Sequence, residues 1–153
     1  MYIPIDFIEN IDGELLAGMF FVVVMVAIIL LPIFITFYIL GSLGTSKIAK
    51  KMEIENPWMA WIPYCSQFLL GNIAFNKNVG FVYLGLTILN SFNPIESLKT
   101  IIGLGTFILS VVIYHKIYEK LSKNAVVMTV FTALSGGLLA PVFLFAIRNN
   151  ELN

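Results

Sequence analysis

The stretch FFVVVMVAIILLPIFITFYIL, residues 20 to 40, decides the class of this chain. It carries no charge and lies inside a longer uncharged run from Leu15 to Ser46. A helix rises 1.5 Å per residue, so about 20 apolar residues cross the hydrocarbon core of a bilayer. The run is longer than that and is predicted to tilt or bend. Pro32 is the predicted bend point, because proline removes a helical hydrogen bond and crowds the preceding turn. Gly41 and Gly44 are expected to loosen the end of the helix, with Ser46 placed to cap a short helix after it.

The whole chain agrees with this reading. Of its 153 residues, 59% are apolar and 12% charged, and mean hydropathy is +0.92. A soluble domain carries about 25% charged residues, and a chain this small exposes much of its surface even when folded. Lipid is therefore the expected solvent for most of it. Nine basic and nine acidic residues leave no net charge and no broad basic field for nucleic acid. The single Cys65 excludes an internal disulfide and a multi-cysteine metal site. Asp6, Glu9, Asp12 and Glu14 precede the first basic residue, Lys47. A secretory signal opens with positive charge, so the first apolar run reads as a retained helix.

Beyond it, Lys47, Lys50 and Lys51 cluster, and the segment 47 to 55 suits a membrane surface. Residues 57 to 76, PWMAWIPYCSQFLLGNIAFN, are uncharged but make a poor span. Pro57 and Pro63 interrupt them, and Trp58, Trp61 and Tyr64 are interface residues. This segment is predicted to be interfacial or re-entrant, with a helix after Pro63; Trp58, Trp61, Pro63, Tyr64 and Gln67 are its candidate residues. Further spans are predicted at 79–92, 98–118 and 125–147, the last broken by Gly136, Gly137 and Pro141, in addition to the first at about 15–43. Asn93-Pro94 supplies one turn and the charged residues 119 to 124 another. The expected fold is a single-domain, all-α integral membrane protein with four transmembrane helices plus the aromatic, proline-containing segment.

Charge sets the expected orientation, because cytoplasmic loops are rich in lysine and arginine. If 57–76 does not cross, Lys47, Lys50, Lys51, Lys77, Lys116, Lys120 and Lys123 share the cytoplasmic side. Lys99 and Arg148 lie outside, with both termini. If 57–76 crosses, five basic residues face four and the asymmetry vanishes. Four spans with both termini extracytoplasmic are therefore expected.

Candidate chemistry is sparse. His115, the only histidine, sits near the end of the third span, with Glu119 one turn on as a possible proton partner. An interfacial histidine at a helix C-terminus explains it more simply. Cys65 has no adjacent base or cation to activate it. No cofactor or metal is expected: one histidine and one cysteine cannot form a ligand set, and no nucleotide or zinc-peptidase motif is present. The polar residues within spans are neutral. Thr129, Ala133 and Gly137 recur every four residues and predict one helical stripe, which Pro141 extends. Thr106 and Ser110 form a shorter stripe, and Asn90 lies in the second span. Small and hydroxyl residues at these spacings point to helix packing or a polar path. The glycines at 80, 85, 103 and 105 read as packing residues.

The pattern Trp58-x-x-Trp61-Ile62-Pro63 followed by Gly71-x-Ile73-Ala74 resembles small bacterial polytopic membrane proteins of unassigned function. The resemblance covers about twenty residues, carries no catalytic residues, and implies a bacterial cytoplasmic membrane. Three function classes follow. The first is a non-enzymatic membrane subunit acting through helix–helix contacts, as a homo-oligomer or in a larger membrane complex. The second is an oligomeric pore or transporter for a small solute or ion, in which neutral constrictions can gate. The third is a membrane-embedded enzyme, which would have to work through His115, Glu119 or Cys65.

Overall fold

The long apolar run and its lysine-rich tail form one helix, α1, Gly13–Lys51, in the computed structural model, which describes residues 13–152. Asp6, Glu9 and Asp12 of the acidic arm lie outside the described residues. Every regular element among the described residues is helical. The helix through Thr36 belongs to one compact unit and the chain from Phe37 onward to another. In the first unit residues 15–36 are all exposed, although almost all are apolar. The helix continues through Pro32, and the Thr36 hydroxyl donates to the Pro32 carbonyl at 2.8 Å.

The second unit contains the end of α1, a 3-10 turn at Pro57–Trp61, and five further helices: α2 (Cys65–Ala74), α3 (Lys77–Phe92), α4 (Glu96–Leu121), α5 (Ala125–Leu134) and α6 (Ala140–Ile147). Local chemistry sets several boundaries. After α1, Glu53 adopts φ 55°, and the Ile54 and Glu53 N–H groups donate to the carbonyls of Ala49 and Lys50. That double bond pattern is a Schellman ending, which satisfies the last carbonyls of a helix. The Asn76 side chain accepts from the Val79 N–H at 3.0 Å and caps α3. The Asn93 side chain accepts from Ile95 N–H at 2.9 Å and shapes the Asn93-Pro94 turn before α4.

Two segments leave one end of this unit and return to it. The first is 56–76: Glu55 and Lys77, which flank it, form an ion pair at 2.9 Å. At its far point the Trp61 carbonyl accepts from the Tyr38 hydroxyl, well up α1 from Lys51. The second is 125–147. The break predicted at Gly136, Gly137 and Pro141 divides this segment into two short helices, and α6 runs parallel to α1. Gly41 faces Pro141, Gly44 faces Leu144, and Lys47 donates to Asn149 at 2.6 Å. Lys51 donates to the Asn150 carbonyl, and Asn150 donates to the Leu121 carbonyl at 2.8 Å, at the end of α4. The physical cause is Gly136 at φ +62° and Gly137 at φ +92°, whose N–H groups close a second Schellman ending on Ala133 and Thr132.

The core lies toward this same basic end, where Ile48, Leu69, Ile73, Ile113, Ile117, Tyr118, Leu121 and Leu144 are buried. Away from it the helices are apolar and exposed, as at Phe92, Ile101, Leu104 and Ile108. Contiguous exposed apolar surface on this scale marks a contact with lipid or protein. Two helices, α1 and α4, are long and apolar enough to cross a membrane.

Candidate functional site

The two returning segments meet α1 and α4 around a cavity of about 150 Å³. Ser42 and Thr45 of α1, Ser66 and Gln67 of α2, and Tyr114 of α4 supply its polar lining, with Pro141 of α6 closing one side. Each position follows from local structure. Ser42 and Thr45 lie one turn apart on α1, so they share a face, and both are buried. Gly41 and Gly44 lie beside them and admit α6. A Cβ on Gly44 would stand 2.8 Å from the Leu144 carbonyl carbon and the Phe145 nitrogen. These glycines are thus packing positions within a continuous helix, not the loosened end that the sequence predicts.

Ser66 and Gln67 are brought to the cavity by a sharp entry into α2. Tyr64 has φ 67° and ψ −44°, and the Cys65 N–H donates to the Pro63 carbonyl at 2.9 Å. This is a γ-turn with a bulky central residue, a strained conformation of order 1–3 kcal/mol that the surrounding structure must hold. The Tyr64 ring lies near Phe92, and the Trp61 ring meets Tyr38 edge-on at 6.4 Å. Downstream, α2 and α3 touch backbone to backbone: a Cβ on Gly71 would lie 2.7 Å from Gly80 Cα. The Lys120 ammonium donates to the carbonyls of Ile73 and Ala74 at 2.8 and 2.9 Å, which secures the C-terminus of α2 to α4.

No charged side chain lines the cavity. The Gln67 Oε1 is buried and has no hydrogen-bond partner among the described residues. An unpaired buried acceptor costs about 1–3 kcal/mol. Chemically, the lining offers hydroxyl and amide groups at low dielectric, which suits an uncharged hydrogen-bonding solute.

The other predicted residues are distributed as follows. His115 and Thr129 come together, with Nδ1 2.9 Å from Oγ1. The Thr129 hydroxyl donates its one proton to the Ala125 carbonyl at 2.7 Å, so the histidine Nδ1 carries the proton of the His–Thr bond. Glu119 is instead bonded by Lys116 at 2.7 Å on an exposed face. The stripe of Thr129, Ala133 and Gly137 is corrected: α5 ends at Leu134, so Gly137 and Pro141 are not on it. The buried hydroxyl of this helix is Thr132, bonded to the Tyr118 hydroxyl at 3.0 Å. Thr106 and Ser110 bond back to their own helix, at Ile102 and Phe107. Asn90 packs against Gly103, where a Cβ would lie 3.3 Å from its Oδ1. Gly85 and Gly105 face nothing within 4 Å. Trp58 is exposed, with its indole N–H on the Asn56 side chain at 3.3 Å. Ser42, Thr45, Ser66 and Tyr114 are not predicted site residues; the three-residue spacing of Ser42 and Thr45 within an apolar helix is a signal for the first two alone.

Compared with known proteins, the chain matches no family, no curated protein and no solved structure.

Proposed function

We propose that this chain is a multi-pass membrane protein without catalytic chemistry of its own, whose working part is the polar cavity between the two returning segments. It binds a small uncharged hydrogen-bonding solute there, as a carrier or pore component. The observation that carries this reading is the polar lining itself. Hydroxyl and amide groups are costly at membrane depth unless something satisfies them. Broken backbone at that depth belongs where it lines a cavity, and such breaks build the substrate sites of transporters. The volume is close to that of a cavity known to hold a six-carbon ring.

The topology that accompanies this reading has three crossings, α1, α3 and α4, with 56–76 and 125–147 re-entrant from one face. It replaces the four-span expectation and moves the C-terminus to the cytoplasmic side, opposite the N-terminus. Lys47, Lys50, Lys51, Lys77, Lys116, Lys120, Lys123 and Arg148 then share that side, and only Lys99 lies opposite. This asymmetry is stronger than that of either sequence-based alternative, which supports it under the positive-inside rule.

The test is liposome swelling with the purified full chain. Glycerol or urea is expected to enter faster than into empty liposomes, without collapse of an imposed potassium diffusion potential. Gln67→Leu and Thr45→Val are expected to remove most of the increment. Entry equal to empty liposomes for both solutes contradicts the reading.

A second reading, a subunit that acts through helix association, is favoured by the uncovered surface of residues 15–36. Lipid satisfies that surface equally well, so the cavity takes precedence. Extraction in a mild polymer distinguishes the two, since a stoichiometric second protein is expected only for the subunit.

A further inference from the structure

A groove of about 490 Å³ separates α1 from α6 at the basic end, and the cavity described above is not part of it. Its lining is Leu43, Ser46, Lys47, Lys50, Phe145 and Arg148. Three cations and two large apolar side chains thus share one concavity, and no carboxylate is among them. The two ion pairs among the described residues, Lys77–Glu55 and Lys116–Glu119, lie elsewhere.

The cations are held in different ways. Lys47 is braced by the Asn149 side chain at 2.6 Å. The Arg148 guanidinium lies 3.3 Å above the centroid of the Phe145 ring and donates to the Phe145 carbonyl. That stacking fixes its plane and leaves other N–H groups for an acceptor. The Lys50 side chain is exposed, and its ammonium has no hydrogen-bond or ion-pair partner among the described residues. Positive charge that no carboxylate neutralises calls for an external anion.

We propose that this groove is a binding site for the phosphate of an anionic glycerophospholipid. Lys47, Lys50 and Arg148 take the phosphate oxygens, and an acyl chain follows Leu43 and Phe145 toward the apolar flank of the unit. Basic pockets between helices at a cytoplasmic face bind acidic headgroups by this combination. A free phosphate uses the cations but gains nothing from the apolar wall, which is why the lipid is preferred. The inference rests on the membrane reading but not on the cavity having a solute.

The experiment is native mass spectrometry of the detergent-solubilised full chain with phosphatidylglycerol or phosphatidylcholine, each with and without millimolar inorganic phosphate. Phosphatidylglycerol is expected to be retained and phosphatidylcholine not, with free phosphate unable to displace it. Lys50→Gln and Arg148→Gln are each expected to lower retention about fivefold, the worth of one basic residue near an anionic headgroup. Lys116→Gln, at a position away from the groove, is expected to change nothing. Arg148 stacks on Phe145, so Lys50→Gln, at an exposed position, keeps the test decisive if the arginine variant misfolds. Equal retention of the two lipids, displacement by inorganic phosphate, or full retention in Lys50→Gln overturns the proposal.

Discussion

The Glu55 carboxylate and the Lys77 ammonium meet at 2.9 Å, so the chain that leaves at one returns at the other. Between them lies all of the tryptophan- and proline-containing segment. The pair is exposed, and exposed ion pairs add little stability; its meaning is positional. Cysteines placed at both positions in a Cys65→Ser background are expected to be joined by a short bifunctional maleimide in intact membranes. Failure of that cross-link, with each single cysteine still reactive, would remove the returning segment.

The same pair makes a prediction about protonation. The hydrogen bond from Lys77, and then its charge, hold the Glu55 carboxyl below the usual carboxylate range. A depressed folded value means that the interaction is present at neutral pH and is lost as pH falls through that value, below the ordinary glutamate range. In Lys77→Gln the carboxyl is expected to titrate closer to its ordinary value. A carboxyl-carbon NMR titration of the two proteins measures this, and identical curves would contradict the contact.

Glycine positions divide by what surrounds them. Gly44→Ala places a methyl group 2.8 Å from the backbone of α6. It is expected to destabilise the protein by about 1–3 kcal/mol, as overpacking does. Gly85→Ala meets nothing within 4 Å inside α3, and helix propensity is expected to make it stabilising by up to about 1 kcal/mol. Unfolding in a denaturing detergent measures both, and equal effects would contradict the α1–α6 contact.

The bond between Tyr118 and Thr132 joins α4 to the first half of the second returning segment. Both residues are buried. Tyr118→Phe and Thr132→Val are each expected to cost about 1 kcal/mol, with a double variant no worse than the sum and a coupling near 1 kcal/mol. Additive losses in the double-mutant cycle would mean that the two hydroxyls do not pair.

Much of the fold is legible in the sequence, and the limits have physical causes. Uncharged length marks α1 and α4, Asn93-Pro94 marks the turn between α3 and α4, and charge marks the break between α4 and α5. Gly136, Gly137 and Pro141 mark a break, but its change of direction is hidden because two helices, Ala125–Leu134 and Ala140–Ile147, together have the apolar length of one span. Thr129, Ala133 and Gly137 keep helical spacing even though the chain turns before the last of them. Gly41 and Gly44 look like weak points in a helix, and only the arrival of Pro141 and Leu144 makes them contacts. Lys120 reads as a topological charge, yet its role in closing α2 depends on carbonyls far away in sequence. The cavity draws its lining from α1, the 3-10 turn, α2, α4 and α6, and no local pattern records that convergence.

In the proposed topology both broken segments enter from and return to one face, which encloses the polar cavity and puts the C-terminus on the basic side. Single-cysteine accessibility in spheroplasts and inverted vesicles measures this. In a Cys65→Ser background, Glu55→Cys, Lys123→Cys and Asn150→Cys are expected to react with an impermeant maleimide from the cytoplasmic side, and Ile95→Cys from the opposite side. Reaction of Asn150→Cys from the same side as Ile95→Cys would make 125–147 a crossing segment and overturn the three-crossing topology.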